Sequence, residues 1–283
     1  ADIFTAMLLS FALTLSQAVV AALILPVNDR DLNEYQVIRR FARRSSADGD
    51  TRTPGLILLE IDGLSAATLR KAIRWGYMPT LAEWLRSGSH RLVEWDSGLP
   101  AQTSAMQAGI LHGSHRDIPA FRFYDKAAHR LLVSNHPDDA DDIVRPLLNG
   151  RGLLRERGFS LNNWACGDAP DVVLTFTTVG EAGHSPFEGA DALYGYFANT
   201  LLFQQALLGM AWDMVVEWRE ARYQRVHNIL PRVERRFPFP LVRAVAVVLL
   251  PQLVSYVLIS RMFEGIAAAY TTFVNYDEVA HHS

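Results

Sequence analysis

The apolar positions of this chain fall into blocks of two kinds. Leu56 to Leu64, LILLEIDGL, opens with five leucines or isoleucines in six positions. So continuous a run predicts a strand covered on both faces, as in a parallel α/β sheet. Asp62 and Gly63 end it, at the edge where open α/β sheets gather their chemistry. A second such stretch, AAYTTFVNY, lies near the other end of the sequence and leads into Asp277. Between them the spacing is mostly helical. Ser65 caps a helix that runs to about Trp75 and stops at Gly76. Pro79 opens another, ended by Gly88. Gly98 to Gly113 reads as a loop entering a helix that carries Thr103. Pro137 to Leu148 is a helix with four aspartates near its start, where they favour the dipole. Short strands are expected at His90–Trp95 and Leu161–Gly167, strands and turns within Arg116–Asn135, and a strand or loop at Val172–Thr178. The Gly167-Asp168-Ala169-Pro170 segment reads as a turn.

From about residue 190 to 266 the pattern is helical again. Trp212, Val215, Val216 and Trp218 give an apolar face, and Glu217, Arg219, Glu220, Arg222 and Arg225 a polar one. Leu241 to Ile259 is almost wholly apolar but contains Arg243, Pro251 and Gln252. That composition predicts a buried or membrane-apposed helix rather than a span. Phe4 to Leu25 differs, because it holds no charged residue at all. About 22 apolar residues suffice to cross a hydrocarbon core of roughly 30 Å. Arg30, Arg39, Arg40, Arg43 and Arg44 follow, which by the positive-inside rule places the next domain in the cytoplasm. The division expected is a transmembrane helix over 1–27 and a charged helix and linker over 28–53. An α/β domain then fills 54–283, with a helical insertion at about 190–266.

Composition narrows the choices. The chain has 283 residues, 49% of them hydrophobic and 20% charged, with a net charge of −3. That balance argues against a nucleic-acid binder whose affinity rests on phosphate neutralisation. One cysteine, Cys166, excludes an intrachain disulfide and a cysteine-based zinc site. The sequence starts at Ala1 inside an apolar run and stops at Ser283 just after DEVAHHS. It is therefore expected to be a piece of something longer.

The candidate chemistry lies in three places. Asp62 ends one strand, Thr103 sits where a loop turns into a helix, and Asp277 follows the second long strand. His281 comes four residues after Asp277, so a helical turn would put both on one face, as two ligands of one metal. Carboxylate and imidazole together suit zinc, and also manganese or iron. A hydroxyl at a helix start lies beside backbone N–H groups that can hold a phosphate. Metal coordination is one way to activate it.

This order, strand-Asp-Gly, then Thr in PAQTSAMQAGILHG, then YDEVAHH, resembles the alkaline phosphatase superfamily. The nearest branch in pattern is the type I phosphodiesterase/nucleotide pyrophosphatase group. More narrowly, EIDGL, GYMPTLAEWLRSGSH, QAGILHG, DIPAFRFYDK, VSNHP and NYDEVAHHS resemble bacterial, chiefly actinobacterial, membrane proteins. Those fuse a holin-like helical membrane domain to a phosphatase-like domain. The resemblance covers residues 54–283. It implies a three-layer α/β/α sandwich with a mostly parallel sheet, incomplete here and preceded by one transmembrane helix. It also implies two divalent metal ions, zinc first and manganese second. Asp62 resembles a ligand of one, Thr103 the nucleophile that also touches it, and Asp277 and His281 two ligands of the other. The reaction implied is hydrolysis of a phosphate mono- or diester through a phosphothreonine intermediate. A phosphorylated small molecule, lipid or nucleotide would be the substrate.

Two departures matter. Family nucleotide hydrolases place an asparagine three residues after the nucleophile, where this chain has Met106, with Gln107 beside it as a substitute contact for a phosphoryl oxygen. The family's later Asp-His pair and final histidine have no counterpart before Ser283. The chain as given is therefore expected to bind metal poorly and turn over little. The alternative is a non-catalytic phosphatase-like scaffold or binding domain on a holin-like membrane domain.

Overall fold

A computed structural model gives the architecture. It describes residues 54–178, 191–230, 232 and 235–281, together with 16, 38, 39 and 41–43. The expected membrane helix Phe4–Leu25 therefore lies outside the described residues apart from Ser16, which is helical. The charged segment after it lies outside as well, except for the few residues around Phe41.

In chain order the elements are β1 (Leu56–Ile61), α1 (Ala66–Arg74), α2 (Pro79–Arg86), α3 (Thr103–His112) and a hairpin of β2 (Arg122–Asp125) and β3 (Arg130–Val133). Next come α4 (Pro137–Val144), β4 (Gly158–Leu161), β5 (Asp171–Val173), α5 (Asp191–Ala198) and α6 (Thr200–Val226). The chain then forms α7 (Phe239–Ala244), a π-helical turn (Val245–Leu249), α8 (Leu250–Phe263), β6 (Ala268–Phe273) and α9 (Asn275–His281). Ser65 caps α1 by accepting the Thr68 N–H at 3.2 Å, as its position before the apolar periodicity predicts.

The central sheet has the order β1-β6-β4-β5, and every pairing is parallel. The last strand in sequence is thus inserted beside the first, with Ile61 opposite Phe273. Two apolar layers sandwich it. On one face Ala105, Ala108 and Leu111 of α3 and Ile143 and Val144 of α4 pack with Tyr270. On the other, Val254, Val257 and Leu258 of α8 and Leu193 of α5 pack against Phe159, Leu161 and Ala269. The alternation of β4 and β6 serves both layers at once. The α/β fold and its three layers are those expected.

Several details differ from the sequence expectation. The strand covered on both faces is not β1 but its neighbours: β1 is an edge, with Leu59 at 59% exposure, while β4 is wholly buried. Its run of aliphatics misleads because the apolar layer formed with α5 and α8 takes in residues of β4 and β6 but none of β1. His90–Trp95 forms no strand. It is β-prone in composition, but no strand among the described residues pairs with it, and Val93 and Trp95 stay exposed. The expected strand at Leu161–Gly167 is displaced, since β4 ends at Leu161 where the Asn-rich turn begins. The aspartates of α4 form ion pairs: Asp139 and Asp142 with Arg130, and Asp141 with Arg145.

Among the described residues one helix, the continuous Phe239–Phe263 stretch, is long and apolar enough to cross a membrane. Its second half is committed to the sheet through Val254 and Val257, both fully buried. Pro251 lacks an N–H and its ring crowds the carbonyl four residues back, which accounts for the π turn just before it.

Candidate functional site

Asp62 is placed by the sheet. Its N–H continues the β1–β6 ladder to the Phe273 carbonyl at 3.0 Å, which fixes its carboxylate at the carboxyl edge. Gly63 then turns away with φ +70°. A Cβ at that position would lie 2.4 Å from an Asp277 carboxylate oxygen. The glycine therefore serves two needs, a left-handed backbone and room for the second carboxylate.

Thr103 is the first residue of α3. Gln102 is the N-cap and makes no side-chain cap bond, so the Thr103 hydroxyl is not used to close the helix. It donates instead toward both oxygens of Asp62, at 3.2 and 3.1 Å. The first N–H groups of α3 open beside it. Asp277 lies in the first turn of α9 rather than at the end of β6, because the strand stops at Phe273. The i,i+4 spacing then brings His281 Nε2 to 3.3 Å from Asp277 Oδ2. All four candidates, Asp62, Thr103, Asp277 and His281, line one cavity of about 650 Å³, which Met106 and Phe121 also line.

Negative charge crowds this edge. Burial first, then the charges of Asp277 and Glu60, raise the Asp62 pKa above the ordinary carboxylate value, and the Thr103 hydroxyl and Gly63 N–H offset part of this. A group raised in the folded state contributes stability below its unfolded value of 3.8 and loses it as pH rises through the folded value. At neutral pH, ionised Asp62 is thus a net load on the fold. Asp62→Asn is expected to raise the melting temperature at pH 7 and to leave it unchanged or lower near pH 3. A melting temperature at pH 7 below wild type would sink this reading. The same crowding is what a cation relieves.

Glu60 is the acid that sequence reasoning missed. Its Oε2 accepts from the Tyr270 hydroxyl at 2.7 Å, from Gln107 Nε2 at 2.8 Å and from Thr272 Oγ1 at 3.0 Å. Gln107 is fully buried, and its Oε1 accepts the Trp164 N–H at 2.6 Å. Gln107 is therefore a strut under the site and has no group left for a phosphoryl oxygen, contrary to the sequence expectation. The signal was present: one glutamate in an otherwise aliphatic strand, two residues before Asp62 and so on the same face. Asp168 keeps the turn role expected of it, accepting the Gly152 N–H at 2.8 Å.

The donors come as two pairs of oxygen and nitrogen groups, each short of a complete metal site by itself. Asp62 and Thr103 already converge, and Asp277 and His281 share a helix face opposite. Among the described residues no group of three or more His, Cys, Asp or Glu has the arrangement of a complete metal site. Gly63→Ala tests the cradle. The left-handed backbone costs about 1–2 kcal/mol with a Cβ, and Asp277 must also move. Loss of stability together with weaker zinc binding by calorimetry is the expected outcome; unchanged zinc binding would show that Asp277 does not need the space. Compared with family models, curated proteins and solved structures, the chain finds no match in any of the three.

Proposed function

We propose that this site cleaves a phosphate mono- or diester by transferring the phosphoryl group to Thr103. The observation that carries the reading is the Thr103 hydroxyl, at the uncapped start of α3, donating to both oxygens of Asp62 inside the cavity. Thr103 Oγ1 attacks phosphorus, its proton passes to the Asp62 carboxylate, and the bond from phosphorus to the leaving oxygen breaks. Water then attacks the phosphothreonine, releasing the phosphate or monoester and restoring the hydroxyl. The Asp62 carboxylate already accepts a hydrogen bond from that hydroxyl, which is the geometry the proton transfer needs. The N–H groups at the start of α3 face the oxygens on which charge builds. Two divalent cations, zinc first and manganese second, would supply the positive charge that acidifies the hydroxyl and balances the phosphoryl oxygens, one held by Asp62 and Thr103 and the other by Asp277 and His281.

Two donors to each cation make that binding weak, since zinc sites use three or four protein ligands. The cavity suits a small phosphorylated molecule or a lipid or nucleotide head. The arginines between residues 30 and 44, following the apolar run, support a cytoplasmic site by the positive-inside rule. The test is release of nitrophenolate from nitrophenyl phosphate mono- and diesters with zinc or manganese at saturating concentration. Metal-dependent release is expected. Release no faster than from Thr103→Ala would favour the non-catalytic binding domain.

A further inference from the structure

Helix α6 wears its apolar residues on the outside. Leu208, Trp212, Val215, Tyr223 and Val226 fall on one face by helical spacing, opposite Ala206, Met210 and Glu217. The latter three are buried, whereas Trp212 is 64% and Val226 67% exposed. The inward charges are paired within the protein: Glu217 pairs with Arg235 at 2.9 Å and with Arg243 of α7. What faces out is therefore an apolar and aromatic surface, and it continues past the helix through Leu230, Phe237 and Val242, all more than half exposed. Such a surface on a soluble protein marks an interaction site.

Its charge identifies the partner. Between Trp218 and Val242 there are six arginines against two glutamates and no aspartate, in a chain whose overall charge is −3. Arg235 is turned inward, but Arg219, Arg222, Arg225, Arg232 and Arg236 are exposed. Exposed aliphatics, Trp and Tyr at the boundary, and arginines among them are the composition of a segment lying in a lipid headgroup layer. A nucleic acid would use the arginines and the rings but has no use for Val226, Ile229 and Leu230. We propose that the outward face of α6 and the tip joining it to α7 dock on an anionic lipid surface. The π turn beyond that tip packs against α9, the helix of Asp277 and His281, so docking sets the cavity near the membrane. Phe41 packs edge-on against Tyr256 at 5.1 Å and stacks on Phe263 at 6.1 Å, both on α8. This proposal stands apart from the phosphoryl-transfer reading and needs no turnover.

The test uses the whole chain carrying Leu230→Cys with a polarity-sensitive dye. Cys166 is buried and stays in place. A second protein carries the dye at Leu131→Cys on β3, which is exposed and distant in the fold. Vesicles of phosphatidylcholine are compared with vesicles of phosphatidylcholine and phosphatidylglycerol. The dye at 230 should brighten and shift to the blue with the anionic vesicles, and the dye at 131 should not. Arg219→Gln, Arg222→Gln and Arg225→Gln together should raise the lipid needed on the order of a hundredfold, since each arginine near an anionic surface is worth about 1 kcal/mol. Vesicle binding with a silent dye at 230 would place the membrane contact elsewhere and overturn the proposal, as would equal response at both positions. A response to single-stranded RNA that matches or exceeds that to vesicles would also overturn it, in favour of a nucleic-acid surface.

Discussion

Thr103→Ala is expected to lower metal-dependent kcat on nitrophenyl phosphate by on the order of 10⁴-fold or more, the size of loss seen when a covalent nucleophile is deleted. Thr103→Ser should retain measurable turnover, because it keeps a hydroxyl at the same helix start. The two variants should be equally well folded. The Thr103 hydroxyl donates only to Asp62 and does not cap α3, so its removal leaves no helix N–H newly unsatisfied. The alanine variant loses one hydroxyl donor to a half-buried carboxylate, so a melting temperature only modestly below wild type is expected. A second readout is independent of rate. Quenching wild type in acid during turnover should trap phosphate on the peptide containing Thr103, and Thr103→Ala should trap none. Trapped phosphate elsewhere, or turnover by the alanine variant within tenfold of wild type, would remove Thr103 from the chemistry.

The largest effect on stability is expected at Gln107, a residue that touches no substrate. Its amide is oriented by its partners: Nε2 faces two acceptors, Glu60 Oε2 and Thr272 Oγ1, and Oε1 faces the Trp164 N–H. Gln107→Leu fills much the same space but leaves the buried Trp164 N–H without its acceptor and Glu60 with one donor fewer. Each such orphan costs about 1–3 kcal/mol, more when charged. The sum, about 3–5 kcal/mol, is a large share of the 5–15 kcal/mol that holds a typical domain. Urea unfolding should show a lower midpoint with an unchanged slope. Gln107→Glu should be worse still, since it sets a second carboxylate against Glu60. A loss below about 1 kcal/mol for Gln107→Leu would show that water replaces the amide and that the network is not a support.

Glu60 is the hub of that network, and its place explains the layout of the edge. On β1, Glu60 and Asp62 share a face, Glu60 held by Tyr270, Thr272 and Gln107 and Asp62 by Thr103. Burial and the Glu60 charge push the Tyr270 pKa far upward, so the phenol stays a donor throughout the working pH range. Glu60 thus gathers three donors on one oxygen, whereas Asp62 meets the Thr103 hydroxyl, and both acids line the cavity.

The sequence by itself determined the local pieces: the strand at Leu56–Ile61, the Ser65 cap, the helix starting at Thr103, and the i,i+4 pairing of Asp277 with His281. Each depends on neighbours a few residues away, where spacing, glycine and capping chemistry act directly. The sequence also made Asp62, Thr103 and Asp277 candidates for a common place, since two strand ends and a helix start meet at one edge of a parallel sheet. Only the tertiary structure decided which strand is central. Nothing local in LILLEI says that β6 will slip in beside it and leave its far side bare, because covering layers are set by helices more than a hundred residues away. Only the tertiary structure gave Gly63 its second task, since the atom that needs the room belongs to Asp277. It likewise turned Gln107 from a candidate phosphate contact into a buried strut, by bringing Glu60 and Thr272 to the two sides of one amide. Hydrogen-bonding capacity is written in the residue type, but how it is spent depends on partners that only the folded chain brings within reach.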